Sequence, residues 1–146
     1  MKKTYIHYGD KLFDNKKFIE IKNDNWVKPY GGLWASDINA KFGWKDWCKQ
    51  ENFRECNINN SFTFKIKDNA KILVIDSKEK LLELPKEDTR YEYSWVNLDF
   101  EKIKKEYDAI EVLISSDHRL YWDLYGWDCD SILIMNPECI EVISNE

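Results

Sequence analysis

Apolar residues in this chain come in short runs whose spacing indicates strands more often than helices. Phe62, Phe64 and Ile66 alternate with polar residues, which is the pattern of a strand with one buried face. The run KILVID indicates a buried strand, and AIEVLI indicates a further strand. The pattern predicts strands over residues 4–8, 33–36, 61–67, 71–76, 109–114 and 131–135, with a further strand after Pro137.

Helical spacing is less common and predicts short helices only. We expect one helix within residues 39–53, one that begins near Asp76 and one from Asp99 to Tyr107. Asp76 followed by Glu79 has the spacing of an N-cap and its N3 partner. The connections between strands are too uneven for regular parallel βαβ units. The sequence therefore predicts an α+β fold with two small, mostly antiparallel sheets flanking a cleft.

Composition limits the classes of function. A chain of 146 residues suits a single domain, 1–146, and a net charge of −5 with interspersed lysines lacks the concentrated positive charge of a nucleic-acid-binding surface. No run of about 18 apolar residues predicts a membrane span, and no leader pattern is visible, so we expect a cytoplasmic protein. Seven Trp, eight Tyr and seven Phe exceed what packing usually requires, and they predict a cleft lined with rings.

Common signatures of catalysis and metal binding are missing. The four cysteines form no CxxC pair and the two histidines form no HxxxH motif, so no metal site is expected. The chain also has no GxxxxGK[ST], GxGxxG or GxSxG motif. Chemistry must therefore come from residues that carry no standard motif.

Two carboxylates precede the strand predicted at 131–135. In an extended chain, residues two apart point to the same side, so Asp128 and Asp130 are expected to share one face. Such pairs occur where a site handles protons or binds a cation. They also occur at ordinary solvated strand ends, and the residues alone leave both interpretations open.

Three separated segments, taken in order, carry a resemblance. They are YIHYGD with His7, the segment GGLWAS that contains Trp34, and WDCDS with Asp128 and Asp130. This set resembles the ADP-ribosyltransferase fold, including its small bacterial and phage members, in which a His or Arg ends the first strand and a catalytic acid opens a late strand. The tail SILIMNPECIEVI and the segment YDAIEV are similar to the late strands of that family.

The resemblance implies a binding site for NAD, which would be a substrate. His7 would hydrogen-bond a ribose hydroxyl, Trp34 or Tyr8 would stack on the nicotinamide, and Ser36 would brace the site. Gly32 would line the same site. Without the resemblance, His7 is explained as a structural histidine, Trp34 as a core residue and Gly32 as a turn residue.

The resemblance assigns the catalytic role to the acidic pair, with His7 beside it. Asp130 would stabilise the developing positive charge, and Asp128 would orient a ribose hydroxyl or the nucleophile. Alignment on Pro137 instead places the family's glutamate nearer Ser131. That difference matters because a shift of one residue moves a side chain to the other sheet face.

Two functional hypotheses follow. The first is an NAD-dependent mono-ADP-ribosyltransferase or NAD glycohydrolase that transfers ADP-ribose to an unspecified protein, nucleic acid or small molecule. Lys28 and Arg119 are candidate partners for the two phosphates of NAD. The second is a catalytically silent domain of the same fold that binds a protein or a nucleotide-like ligand, as in a toxin-antitoxin or phage anti-defence role. Clusters of tyrosine and tryptophan at 91–95 and 121–127 could form a protein-binding surface, which would suit that second hypothesis.

Overall fold

Seven strands form one mixed sheet in this computed structural model, which describes residues 3–24, 28–86, 96–124 and 127–143. The strands are β1 (Tyr5–Tyr8), β2 (Leu33–Asp37), β3 (Ser61–Ile66), β4 (Ile72–Ile75), β5 (Ala109–Val112), β6 (Ser131–Ile134) and β7 (Ile140–Ile143). Their order across the sheet is β4-β5-β6-β2-β1-β3-β7, and only β4 and β5 run parallel. The α+β prediction is confirmed. The prediction of two sheets is wrong, because β2 pairs along both of its edges and joins the two halves.

The helices are short. They are α1 (Trp44–Gln50), α2 (Lys78–Leu82), α3 (Phe100–Ile103) and α4 (Arg119–Asp123), with single 3-10 turns at Asn15–Lys17, Ile58–Asn60, Ile114–Ser116 and Pro137–Cys139. Asp99 caps α3 as predicted. The cap of α2 is Ser77 rather than Asp76, and the Ser77 hydroxyl accepts from the Lys80 amide at 3.2 Å. None of the helices in the described residues has the length and apolar character to cross a membrane.

The two sheet faces bury separate apolar clusters, as the period of two in a strand requires. In β5, Ala109 belongs to one cluster and Ile110 to the other, and β6 alternates in the same way with Ile132 and Leu133. The cluster that contains Ile110 packs against α2, α3 and α4, whereas the opposite cluster contains the phenylalanines of β3. All four residues of β5 are buried, so both faces of this strand are covered.

Gly32, just before β2, lies too close to neighbouring side chains to carry a Cβ. Gly32 has a φ of +80°, and a Cβ on it would lie 2.5 Å from Cδ1 of Leu133 and 2.8 Å from Cδ1 of Ile21. Only glycine combines that backbone conformation with so little space. Trp34 then pairs with Leu133, and Ala35 pairs with Ile132. The register of β2 against β6 therefore places Trp34 and Ser131 near each other.

The buried carboxylate of Glu111 lies on the same sheet face as Ala109. Glu111 is only 4% exposed, and its Oε1 accepts from the Tyr5 hydroxyl at 3.1 Å and from the Lys3 ammonium at 3.3 Å. Burial raises the pKa of Glu111, and the nearby charge of Lys3 offsets part of that rise. The folded protein therefore holds a proton at Glu111 at a pH where the unfolded chain has lost it.

The raised pKa of Glu111 gives a stability prediction with a definite sign. Because the folded state binds this proton more tightly, the free energy of unfolding falls as pH rises from the unfolded value of about 4.5 through the folded pKa. Glu111→Gln removes this titrating group, and with it this pH dependence of stability, but keeps an oxygen that accepts from the Tyr5 hydroxyl. Urea titrations at several pH values should show the wild type losing stability relative to Glu111→Gln as pH rises. A difference that stays constant with pH would contradict the assignment.

Candidate functional site

A cavity of about 330 Å³ lies over β1, β2 and the segment before β6, and we call it the central cavity. It brings together residues from six separate stretches of the chain. They are Ile6, His7, Tyr8, Lys28, Trp34, Ala35, Trp44, Phe53, Arg54, Trp127, Asp128, Cys129 and Ser131. His7, Tyr8, Trp34 and Asp128 are sequence-predicted site residues, and they share this one space. A larger hollow of about 570 Å³ beside α2 and α3 contains none of the predicted residues.

His7 is held in position at both ring nitrogens. Its Nδ1 lies 2.6 Å from the Trp34 carbonyl oxygen, and its Nε2 lies 3.0 Å from Oδ2 of Asp10. Both partners only accept hydrogen bonds, so both contacts are satisfied when the imidazole carries a proton on each nitrogen. The bond to Trp34 joins the end of β1 to β2 through a side chain. A ligand hydroxyl that uses Nε2 must replace Asp10, whose side chain is exposed.

Trp34 forms an aromatic wall of the cavity. Its ring meets Trp127 edge-on, with 4.7 Å between centroids, and the ammonium of Lys28 lies 5.1 Å above the Trp34 ring. Trp127 is itself buried and stacks on Phe100. Desolvation lowers the pKa of Lys28, and the nearby Asp128 carboxylate works against that shift. The wall therefore carries a cation within reach of whatever stacks on the indole.

A second cation of the cavity lining, Arg54, lies against an aromatic cluster. The guanidinium of Arg54 lies 4.6 Å from the centroid of the Phe53 ring. Phe53 packs edge-on against Trp47 at 5.4 Å, and Trp47 stacks on Trp44 at 5.2 Å. Because this cluster includes residues of α1 and of the segment after it, the position of Arg54 depends on how that segment is folded. Lys28 and Arg54 are suited to bind phosphate oxygens.

The two aspartates lie in different environments. β6 begins only at Ser131, and the chain bends at residues 129 and 130, so the extended chain from which a shared face was predicted is not present there. Asp128 is half-buried and lines the central cavity. Asp130 is 4% exposed, and its carboxylate accepts from the Ser115 amide at 2.8 Å and from the Ser115 hydroxyl at 2.6 Å. Asp130 thus holds the 3-10 turn that follows β5.

Ser36 and Gly32 lie beside the central cavity without lining it. The buried Ser36 hydroxyl donates to the Asp130 carbonyl at 3.0 Å and accepts from the Trp44 amide at 3.0 Å, so it joins β2, the start of β6 and the first residue of α1. Gly32 lines a side cavity of about 190 Å³, which also contacts His7 and Trp34. His7 and Trp34 therefore line both the side cavity and the central cavity.

Some predicted residues lie elsewhere, and some cavity residues were not predicted. The guanidinium of Arg119 pairs with Glu79 and Asp117 on the surface. The aromatic cluster predicted at 91–95 lies outside the described residues. Arg54 was missed, although the chain has only three arginines and this one follows Phe53 in an aromatic segment. Among the residues that the structure describes, no three His, Cys, Asp or Glu side chains are grouped to hold a metal ion.

Comparisons with protein-family models, with curated proteins and with solved structures found no match to this chain. Interpretation of the site therefore depends on its own geometry.

The different positions of the two aspartates predict different effects on stability. Asp130→Ala leaves the Ser115 amide without its partner, so the free energy of unfolding should fall by about 1–3 kcal/mol. Asp128→Ala should change it by less than about 1 kcal/mol, because Asp128 is half-buried and forms no hydrogen bond with the described residues. Chemical denaturation of both variants measures the contrast.

Asp130→Asn provides the matched control for that experiment. Asparagine keeps one oxygen to accept from Ser115, so its loss should fall between the losses of the two alanine variants. Equal losses for Asp128→Ala and Asp130→Ala would contradict the structural role given to Asp130.

Proposed function

We propose that the central cavity binds NAD and that the protein is an NAD-dependent ADP-ribosyltransferase or NAD glycohydrolase. The observation that carries the proposal is the convergence of His7, Trp34 and Asp128 on one cavity from three distant segments. These are the residue types that cleavage of a nicotinamide–ribose bond requires. The ribose needs a hydrogen-bonding group, the nicotinamide ring needs an aromatic surface to stack on, and the positive charge that develops on the ribose needs a carboxylate.

The charges of the cavity suit a phosphorylated, planar ligand. Lys28 lies above the ring of Trp34, and Arg54 lies above the ring of Phe53, so each cation is next to an aromatic surface. In the proposed complex the nicotinamide stacks on Trp34 and the two phosphates bind Lys28 and Arg54.

Asp128 takes the charge-stabilising role that the resemblance assigned to Asp130. As the bond between the nicotinamide nitrogen and C1′ of the ribose breaks, both bonding electrons leave with the nicotinamide, and C1′ develops the positive charge of an oxocarbenium ion. A carboxylate beside that carbon stabilises the charge, and one well-placed electrostatic group is worth about 3–4 kcal/mol. Asp130 is committed to Ser115, so Asp128 is the carboxylate available from the lining.

One observation favours the second candidate, a silent domain of the same fold that binds a nucleotide-like ligand or a protein. Ser131 opens β6 and lines the cavity. Alignment on Pro137 places the glutamate of the resembling family nearest to this serine, and serine cannot stabilise a cation as a carboxylate does. Such a domain would bind NAD or ADP-ribose through the same aromatic and cationic walls and release no nicotinamide.

Nicotinamide release from NAD tests the enzymatic proposal. Asp128→Asn should lower the turnover rate by about 10²–10³-fold, because the amide keeps the shape of the side chain but removes its charge. The affinity for NAD, measured by calorimetry, should change much less. Asp128→Asn isolates the charge, since Asp128 has only a small expected role in stability.

Glu141→Gln is the matched control, because Glu141 is an exposed carboxylate on β7, away from the cavity. It should leave both turnover and affinity unchanged. Binding of NAD without nicotinamide release would support the silent domain instead. If millimolar NAD caused neither release nor a thermal shift, both candidates would lose their nucleotide ligand.

A further inference from the structure

A further cavity of about 330 Å³ lies among α1, the 3-10 turn Ile114–Ser116 and α4, and we call it the α1–α4 cavity. Two carboxylates line it, those of Glu51 and Asp128, and none of its described lining residues is a lysine or an arginine. Asp128 also lines the central cavity, so the two cavities share this residue. The lining of the central cavity includes two cations, whereas that of the α1–α4 cavity is negatively charged.

The basic residues that are near this lining in the sequence leave its negative charge in place. Lys45 and Lys49 lie on the opposite side of α1 from Trp47, because residues two apart are separated by about 200° around a helix. The guanidinium of Arg119 is held by two carboxylates on the surface. Glu51 itself forms no ion pair with a described lysine or arginine. A positively charged ligand would therefore balance the charge of the lining.

Aromatic side chains form another part of the lining. Its described residues include Phe42, Trp47 and Tyr121. Trp47 stacks on Trp44 with 5.2 Å between centroids, and Tyr121 meets Trp122 edge-on at 5.1 Å. Tyr121 nevertheless remains 40% exposed. Because the faces of aromatic rings attract positive charge, an organic cation is stabilised by the rings as well as by the carboxylates.

The hydrogen-bonding groups of the lining favour a ligand that donates. The Ser115 hydroxyl donates to the Asp130 carboxylate at 2.6 Å, and the Ser115 amide donates to the same carboxylate at 2.8 Å. The Ser115 hydroxyl can therefore offer a ligand only its acceptor lone pairs. The ionised carboxylates of Glu51 and Asp128 also accept only. A cation with several N–H groups suits this set better than a cation that has none.

We propose that the α1–α4 cavity binds a primary alkylammonium ion. Its ammonium group has three N–H donors and no acceptor, which matches the carboxylates of Glu51 and Asp128 and the hydroxyl of Ser115. The alkyl chain packs against Phe42 and Tyr121. A volume of about 330 Å³ is at the lower end for small-molecule sites, so the chain is short. Binding of this ion does not involve NAD, and the site goes beyond the proposed function.

Titration of the isotope-labelled full chain with butylammonium chloride, followed by NMR at constant ionic strength, tests the proposal. So small a ligand should bind with a dissociation constant of about 1 mM. The backbone amides of Glu51, Ser115 and His118 and the indole N–H of Trp47 should shift, because these residues line the α1–α4 cavity. Shifts confined to another surface would overturn the site.

Two matched ligands separate the effect of charge from that of the N–H donors. 1-Butanol has the same chain without the charge and should bind at least about ten-fold more weakly. Tetramethylammonium has the charge without N–H donors and should bind about three- to ten-fold more weakly. Equal binding of 1-butanol and butylammonium would overturn the proposal, since the cavity would then select the alkyl chain alone.

Substitution of Glu51 tests the carboxylate in the same titration. Glu51→Gln removes the charge and keeps the shape of an exposed side chain, so butylammonium should bind about ten-fold more weakly. Glu55→Gln is the matched control, because Glu55 is exposed and does not line the cavity. Tyr121→Leu should weaken binding about two- to five-fold through loss of the aromatic face. Unchanged affinity in Glu51→Gln would count against the site as decisively as unchanged affinity for 1-butanol.

A second probe identifies the source of the ammonium group, which is either a free amine or the lysine side chain of another protein. Nα-acetyl-lysine methylamide carries the same group and chain on a piece of polypeptide backbone. Binding of butylammonium alone identifies a free amine as the ligand. Equal binding of the two probes extends the site to protein lysines, and both results support it.

The outcome is independent of the proposed function, because the titration contains no NAD. If the protein binds butylammonium at the α1–α4 cavity but neither binds NAD nor releases nicotinamide, the cation site stands and the proposed function fails. If it releases nicotinamide but does not bind butylammonium, the proposed function stands and the cation site fails.

Discussion

Antiparallel pairing of β2 with both β1 and β6 is the constraint on which the candidate site depends. These strands come from the beginning, the first third and the end of the chain, and the sheet makes them neighbours. Gly32 permits the close approach that starts β2, and the bond from His7 to the Trp34 carbonyl joins β1 to β2 beside the cavity. A shift of one residue in the pairing of β2 would move the Trp34 side chain to the opposite sheet face and out of the central cavity.

The same pairing explains why two nearby aspartates have different environments. The turn that precedes β6 buries Asp130 against Ser115, and Ser36 binds the Asp130 carbonyl from β2. Asp130 thereby contributes to holding the sheet, the 3-10 turn and α1 together. Asp128, two residues earlier, lines the central cavity together with aromatic and cationic side chains. A buried, hydrogen-bonded carboxylate stabilises structure, whereas a carboxylate with free oxygens at a cavity is available for chemistry.

The period of the apolar residues was enough to predict most strands, because alternation and buried runs reflect which sheet face each side chain occupies. Strand pairing was not predictable in the same way. Local patterns do not show that β2 has partners on both edges, and the expectation of two sheets failed for that reason. The start of α2 was predicted one residue early, because Asp76 and Ser77 are both good caps and the helix uses Ser77, whose hydroxyl accepts from the Lys80 amide.

The residues of the candidate site also differ in how far the sequence could predict them. Residues near the ends of strands, such as His7 in β1 and Trp34 in β2, could be singled out because strand ends were visible in the sequence. Arg54 and Trp127 could not be placed, because they enter the cavity from segments whose position depends on the folding of α1 and of the turn before β6. The prediction of a shared face for Asp128 and Asp130 assumed an extended chain, whereas the chain bends at residues 129 and 130 before β6 begins.

A crystal structure of the protein with NAD bound tests the central claim most directly. We predict density for the dinucleotide in the central cavity, with the nicotinamide ring on Trp34, the phosphates between Lys28 and Arg54, and Asp128 beside the ribose. Density for NAD at another surface, or a central cavity filled by collapsed rings in crystals grown with saturating NAD, would contradict the account.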